Sequence, residues 1–136
     1  MRRAAALAAS LVVAACAQPP AAPTCAPPLS PALEVDLYFG RDKPSGGEVS
    51  DAEWSGFLAE VVTPRFPAGL SVLDVQGQSR DGATGTIARE RSKLLVVVVF
   101  DAPRHRDRIA EIVDAYRRRF DQQGVLRVER PVCAGL

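Results

Sequence analysis

Leu33-Glu34-Val35-Asp36-Leu37-Tyr38-Phe39 is the stretch that decides the fold. Leu33, Val35, Leu37 and Phe39 fall on one side, and Glu34, Asp36 and Tyr38 on the other. That period of two is the signature of a half-buried β-strand. The Gly/Pro/Ser-rich segment Gly40 to Gly47 follows as a loop.

Working downstream, Ser50-Asp51-Ala52-Glu53 reads as a capping box, in which a Ser hydroxyl and a Glu carboxylate satisfy each other's backbone amides. Trp54, Phe57, Leu58 and Val61 then form one apolar helical stripe, and Pro64 ends it. A second strand is expected over Ser71 to Gln78, with Leu73 and Val75 on one face. Asp81-Gly82 and Thr84-Gly85 supply a turn. The third strand runs from about Ile87 to Phe100. Its first half, Arg89-Glu90-Arg91-Ser92-Lys93, is polar, and Leu94 to Phe100 is apolar on both faces. Asp101 suits a helix cap, with Pro103 in the first turn. Ile109, Ile112, Val113, Tyr116 and Phe120 make the second stripe, Gly124 suits the exit, and Val125 to Glu129 is a short last strand. The order βαββαβ predicts an α+β, ferredoxin-like domain over residues 32–136: a four-stranded antiparallel sheet, order 4-1-3-2, with two helices on one face.

Upstream of the strand, Ala17 to Pro31 holds six prolines in 15 residues. Such a segment favours extended polyproline II at about 3.1 Å per residue, so residues 16–31 read as a tether reaching up to about 45 Å. Residues 1–15 read as an export signal. Arg2 and Arg3 precede an uncharged run of about 10 residues, too short for a bilayer, which takes about 20. Val13-Ala14-Ala15-Cys16 resembles a bacterial lipobox, which implies lipidation of Cys16 and anchorage in the cell envelope, on an outer membrane or periplasmic face. The competing reading is ordinary cleavage at Ala15-Cys16-Ala17, before Gln18.

Lys and Arg number 17 against 16 Asp and Glu, and two of the basic residues lie in the leader. The remainder is one charge negative, which gives no reason to expect nucleic acid as a partner. Cys25 and Cys133 are the other cysteines, and in an oxidising compartment a disulfide is the first reading, with two free thiols as the alternative. Strand 4 would run antiparallel beside strand 1, which brings Cys133 near Cys25.

The side of the sheet without helices is the candidate binding face. Strand 1 offers Glu34, Asp36 and Tyr38; strand 2 Asp74 and Gln76; strand 3 Arg89, Arg91 and Lys93; strand 4 Arg127 and Glu129. Arg65, in the rigid Thr63-Pro64-Arg65-Phe66-Pro67 segment, is a further candidate anion or partner contact, with a purely structural turn as the alternative reading. The plain alternative is a solvated face of cross-strand ion pairs. The doubly apolar Leu94-to-Phe100 stretch points to a cover: either a second copy packing sheet on sheet to form a homodimer, or the chain's own loops burying the strand end. His105, the single histidine, reads as a surface helix residue. No metal site, cofactor or catalytic residue is assigned.

Phe39-Gly40-Arg41, Thr63-Pro64-Arg65-Phe66-Pro67, Gly77-Gln78, Arg89-Glu90-Arg91-Ser92-Lys93 and Tyr116…Phe120…Gln123 resemble a family of small bacterial lipoproteins known as a domain of unknown function. The resemblance spans about Glu34 to Cys133. It implies the fold and an envelope location and carries no chemistry.

The function expected from these readings is a non-catalytic, membrane-tethered binding or interaction module with an unidentified envelope partner. The alternative is a small enzyme of the dimeric ferredoxin-like α+β barrel type, acting on an apolar small molecule between sheet and helices.

Overall fold

A computed structural model describes residues 23–136. The elements are β1 (Ser30–Gly40), α1 (Asp51–Phe57), β2 (Ser71–Arg80), β3 (Ile87–Val99), α2 (His105–Phe120) and β4 (Leu126–Ala134), with a π-helical turn (Leu58–Val62) extending α1. The strands make one sheet in the order β2-β3-β1-β4, which from the other edge is 4-1-3-2, and every pair is antiparallel. The α+β class, the element order and the strand order are those expected from the sequence. The signal reading of residues 1–15 and the lipidation reading of Cys16 lie outside the described residues. Ser30 and Pro31, read as tether, belong to β1.

Both helices cover one side of the sheet, because both meet Phe39. Its ring centroid lies 5.2 Å from Trp54 of α1 and 4.6 Å from Tyr116 of α2. Val35, Leu37 and Phe39 of β1 and Leu95, Val97 and Val99 of β3 are buried on that side. The register pairs Leu37 with Leu95 and Val35 with Val97, so these side chains are cross-strand neighbours. Phe57 and Phe120 complete an aromatic cluster in edge-on or tilted contacts, at centroid distances of 5.2 Å (Phe57–Tyr116) and 4.9 Å (Tyr116–Phe120). The buried Tyr116 hydroxyl donates to the Gly40 carbonyl at 2.9 Å, and burial holds its phenol well above the ordinary range.

The capping box forms as read. The Glu53 amide donates to Ser50 Oγ at 3.2 Å, and the Ser50 amide to Glu53 Oε2 at 2.8 Å. The stripe behind it departs by one residue: Val62, not Val61, is fully buried after Phe57. The Thr63 amide reaches back five residues to the Leu58 carbonyl at 2.8 Å. That wider turn carries position 62 round to where an ordinary helix puts 61.

Three further boundaries move. Asp101 does not cap α2. The Arg104 amide closes a turn onto its carbonyl at 2.9 Å, its carboxylate pairs with Arg108, and the helix begins at His105. The helix leaves through Asp121, at φ 54°, three residues before Gly124. β4 continues past Glu129 to Ala134, because a proline (here Pro131) is tolerated on an edge strand. Its pairing with β1 sets Cys133 opposite Pro31, and Cys25 and Cys133 form the expected disulfide, with Cα atoms 5.6 Å apart.

Candidate functional site

The polar residues expected on one face occupy both. Glu34, Asp36 and Tyr38 lie on the side without helices, as read. Lys93 pairs with Phe39, a core residue, so Lys93 and, by alternation, Arg91 and Arg89 point to the helical side. Their β2 partners Asp74, Gln76 and Gln78 point the same way. Glu129 and Arg127 pair with Val35 and Leu37 and also face the helices. Arg65 belongs to the helical layer: it donates to the Val61 carbonyl at 2.7 Å and to Glu111 of α2 at 2.9 Å. The expected single platform is therefore two groups on opposite sides. The reason is positional, since residues 89, 91 and 93 share their parity with the buried 95, 97 and 99.

The helical-side group fastens elements together. The buried Lys93 ammonium sits 2.9 Å from Asp51 Oδ1 and 2.5 Å from Asp74 Oδ1. Asp74 first, and Asp51 with it, raise the Lys93 pKa against its desolvation, and Lys93 is the main cause lowering that of Asp51. Buried Arg41 donates from Nε to the Val49 carbonyl at 2.8 Å and lies 3.3 Å from Asp51. Arg91 grips Glu48 with two nitrogens. These contacts bind the β1–α1 loop and the start of α1 to β2 and β3. At the other edge, His105 is buried, not a surface residue. It extends the α2 stripe four residues before Ile109, and its Nε2 lies 3.3 Å from Glu129 Oε1. Burial alone would raise the Glu129 carboxyl, but Arg127 and His105 outweigh it and lower its pKa.

The side without helices is mostly apolar. Leu94, Val96 and Val98 of β3 point there, between Leu73 of β2 and Leu126 and Val128 of β4. Leu126 is 64% exposed, Leu73 48% and Val98 41%. In the middle lies Asp36, only 3% exposed. Arg130 of β4 donates to Asp36 Oδ2 at 2.5 Å and to Glu34 Oε1 from Nε at 2.8 Å. Asp36 Oδ1 is buried and has no partner among the described residues. Sequence reading missed Arg130 because it ended β4 at Glu129; one more residue of strand would have set it opposite Glu34.

At one end of this side the surface drops into a cleft of about 620 Å³, lined by Tyr38, Gly40, Asp42, Glu90, Gln122 and Leu126 among others. Glu90 lies across the backbone of Gly40: a Cβ at position 40 would sit 2.0 Å from its Oε1. Partial desolvation there, then the Asp42 carboxylate, raise the Glu90 pKa. Gln122 Nε2 donates to the Asp42 carbonyl at 2.8 Å and so closes the far wall. Glu90 was not singled out from the sequence. The signal was available in the register, where Gly40 pairs with Ser92, one step along the same side.

Two solved structures are similar to this chain. One is a phage SAM lyase in complex with S-methyl-5'-thioadenosine, with a TM-score of 0.56 and 10% identity, covering 77% of this chain and 90% of that one. The other is a phage SAM lyase in the apo state, with a TM-score of 0.51 and 13% identity, covering 76% and 84%. At such identities the likeness is one of fold. No curated protein matches the chain. A family model matches residues 34–136, almost the whole of the described domain, in agreement with the resemblance read from the sequence: the chain belongs to the family described as protein of unknown function (DUF3574).

Proposed function

We propose that this is a ferredoxin-like domain, exported and lipid-anchored through Cys16, that serves as a non-catalytic interaction module and pairs with a second copy of itself across the sheet face without helices. One observation carries the reading: consecutive same-side residues of the central strand β3, Leu94, Val96 and Val98, are apolar where no helix of the described residues covers them. A second copy suits this face because the exposed apolar side chains Leu73, Val98 and Leu126 would meet their own kind across a two-fold axis. The space between sheet and helices, where the enzyme alternative needs its substrate, is filled by Phe39, Trp54, Phe57 and Tyr116. That alternative keeps one supporting observation, the cleft that joins Tyr38 to a carboxyl held above its ordinary range.

The test is the mass of the full chain in mild detergent by multi-angle light scattering. The parent runs as a dimer and Val98→Glu as a monomer of unchanged circular dichroism, while Arg118→Glu, on the exposed side of α2, stays dimeric. A monomeric parent at high concentration ends the pairing model. Intact-mass analysis of the envelope-purified protein reads the anchor separately, as a diacylglyceryl group on an N-terminal Cys16.

A further inference from the structure

The disulfide decides which end of the domain a tether from Cys16 enters. It fixes Cys25 to Cys133, near the end of β4, while the register sets Pro31 of β1 opposite Cys133 and Leu33 opposite Val99 of β3. The start of β1, the end of β4 and the end of β3 therefore share one end of the sheet. The β3–α2 connection crosses that end. The Arg104 amide closes its turn onto the Asp101 carbonyl, and His105, the first residue of α2, has Nε2 3.3 Å from Glu129 Oε1 of β4. Phe100 stands just past the last ladder pair of β3 and is 61% exposed, whereas Phe39, Phe57, Phe66 and Phe120 are buried. Leu29, before β1, is a second exposed apolar side chain at this end. Arg104 and Arg106, on either side of the buried His105, are exposed and have no ion-pair partner among the described residues. Asp101 is taken by Arg108, and Asp107 is the one other carboxylate in the segment, so Phe100 to Arg108 stays one charge positive.

We propose that this end of the domain docks on the anionic phospholipid bilayer that carries its anchor, with Phe100 in the headgroup–acyl boundary and Arg104 and Arg106 among the headgroup phosphates. The inference rests on the reading of Cys16 as the lipidated residue. Nine residue steps separate Cys16 from Cys25, and at about 3.1 Å each they reach about 28 Å. The 13 residues of β3, at about 3.3 Å each, make the sheet about 40 Å long. The tether is thus shorter than the domain, and the domain cannot stand on the far turn between β2 and β3. The end that holds Cys25 is the one kept near the lipid. An exposed aromatic flanked by free basic groups suits that surface, since the ring gains by leaving water and the guanidinium groups meet phosphate. The contact lies at the end of the sheet, outside the face bounded by Leu73, Val98 and Leu126, so docking and the pairing of two copies can fail separately.

The experiment is quenching of Phe100→Trp by lipid. The full chain, purified from envelopes, is reconstituted in vesicles of phosphatidylethanolamine and phosphatidylglycerol, with and without bromine on the acyl chains. The buried Trp54 gives a constant background. Bromine removes most of the emission that Phe100→Trp adds, and none of that added by Ala83→Trp, in the exposed turn at the far end of the sheet. Arg104→Glu and Arg106→Glu, each combined with Phe100→Trp, lower the ratio of docked to undocked protein about fivefold, the scale of one basic group at an anionic surface. Vesicles of phosphatidylcholine alone lower it as well. Equal quenching at positions 100 and 83, or none at either, in protein whose intact mass shows the acyl chains, overturns the docking and leaves the anchor standing. Quenching at position 100 that ignores both charge reversals and the change of lipid overturns it too. A mass without the acyl chains removes the anchor and the docking together. Unchanged circular dichroism of the variants separates a lost contact from a lost fold.

Discussion

Glu53 and Glu90 are two glutamates pushed in opposite directions by their surroundings. Glu53 accepts from Lys43 Nζ, from the Ser50 amide and from the Ser50 hydroxyl, each at 2.8 Å. Lys43 first, then Ser50, lower its pKa from 4.5 to about 2. A carboxyl depressed in the folded state adds stability that is complete above its unfolded value, and that is lost as pH falls from about 4.5 to about 2. The parent should therefore lose stability across that window more steeply than Glu53→Gln, in urea midpoints taken at successive pH values. Parallel curves would deny the assignment. Ser50→Ala removes the hydroxyl half of the same box and should cost about 1 kcal/mol at neutral pH. Glu90 has no such donors, and its proton is held more tightly than usual by desolvation and by Asp42.

At the scale of the element, β3 is where the two sides of the sheet are most sharply told apart. Val97 is 1% exposed beneath the helices, and its neighbour Val98 is 41% exposed on the other side. Val97→Lys forces an unpaired ammonium into the core and should cost several kcal/mol or abolish the cooperative transition. Val98→Lys should leave the near-ultraviolet circular dichroism intact and lose only the self-association proposed above. A chain that tolerates both, or neither, does not have the sidedness described. This strand also shows how far the sequence could be read. β1 and α2 were legible because one period runs through each without interruption: 33, 35, 37, 39 in the strand and 109, 112, 116, 120 in the helix. In β3 the basic residues were grouped by chemical type and assigned to the wet side, although alternation from Leu95 carries Lys93 to the buried one. What makes that position acceptable for a lysine is the pair Asp51 and Asp74, delivered by α1 and β2. Their convergence depends on tertiary structure and leaves no local trace. His105 was missed for a related reason: its place on the α2 stripe was visible, but a histidine was expected at the surface, and the Glu129 that receives it comes from β4. The π-helical turn had no signal of its own, because Val61 and Val62 are equally apolar and only the backbone decides which of them is buried.

At the scale of the whole molecule, the disulfide joins the two ends of the described chain. β1 lies inside the sheet and β4 is its edge, hydrogen-bonded within the sheet to β1 alone. Cys25, before β1, and Cys133, in β4, are bridged across a sequence separation of 108. The cross-link acts on the unfolded chain, where closing a loop of that size removes conformational freedom worth about 4–5 kcal/mol in the chain-entropy model. Small domains are stable by about 5–15 kcal/mol in all, so the bridge is a large part of the margin. The folded state needs it less, because the β1–β4 ladder from Ser30↔Ala134 to Tyr38↔Leu126 holds the same two segments side by side. The Cys25→Ser/Cys133→Ser double variant should therefore keep the native circular dichroism, yet unfold at a clearly lower urea midpoint. Its m-value should be larger, because the open unfolded chain exposes more surface than the looped one. Reduction of the parent with dithiothreitol should reproduce both changes. Because a dimer's midpoint also depends on protein concentration, the comparison belongs at a matched concentration. An equal midpoint with and without the bridge would mean that the ends are held by the ladder alone, and that the cross-link adds nothing to the stability of the fold.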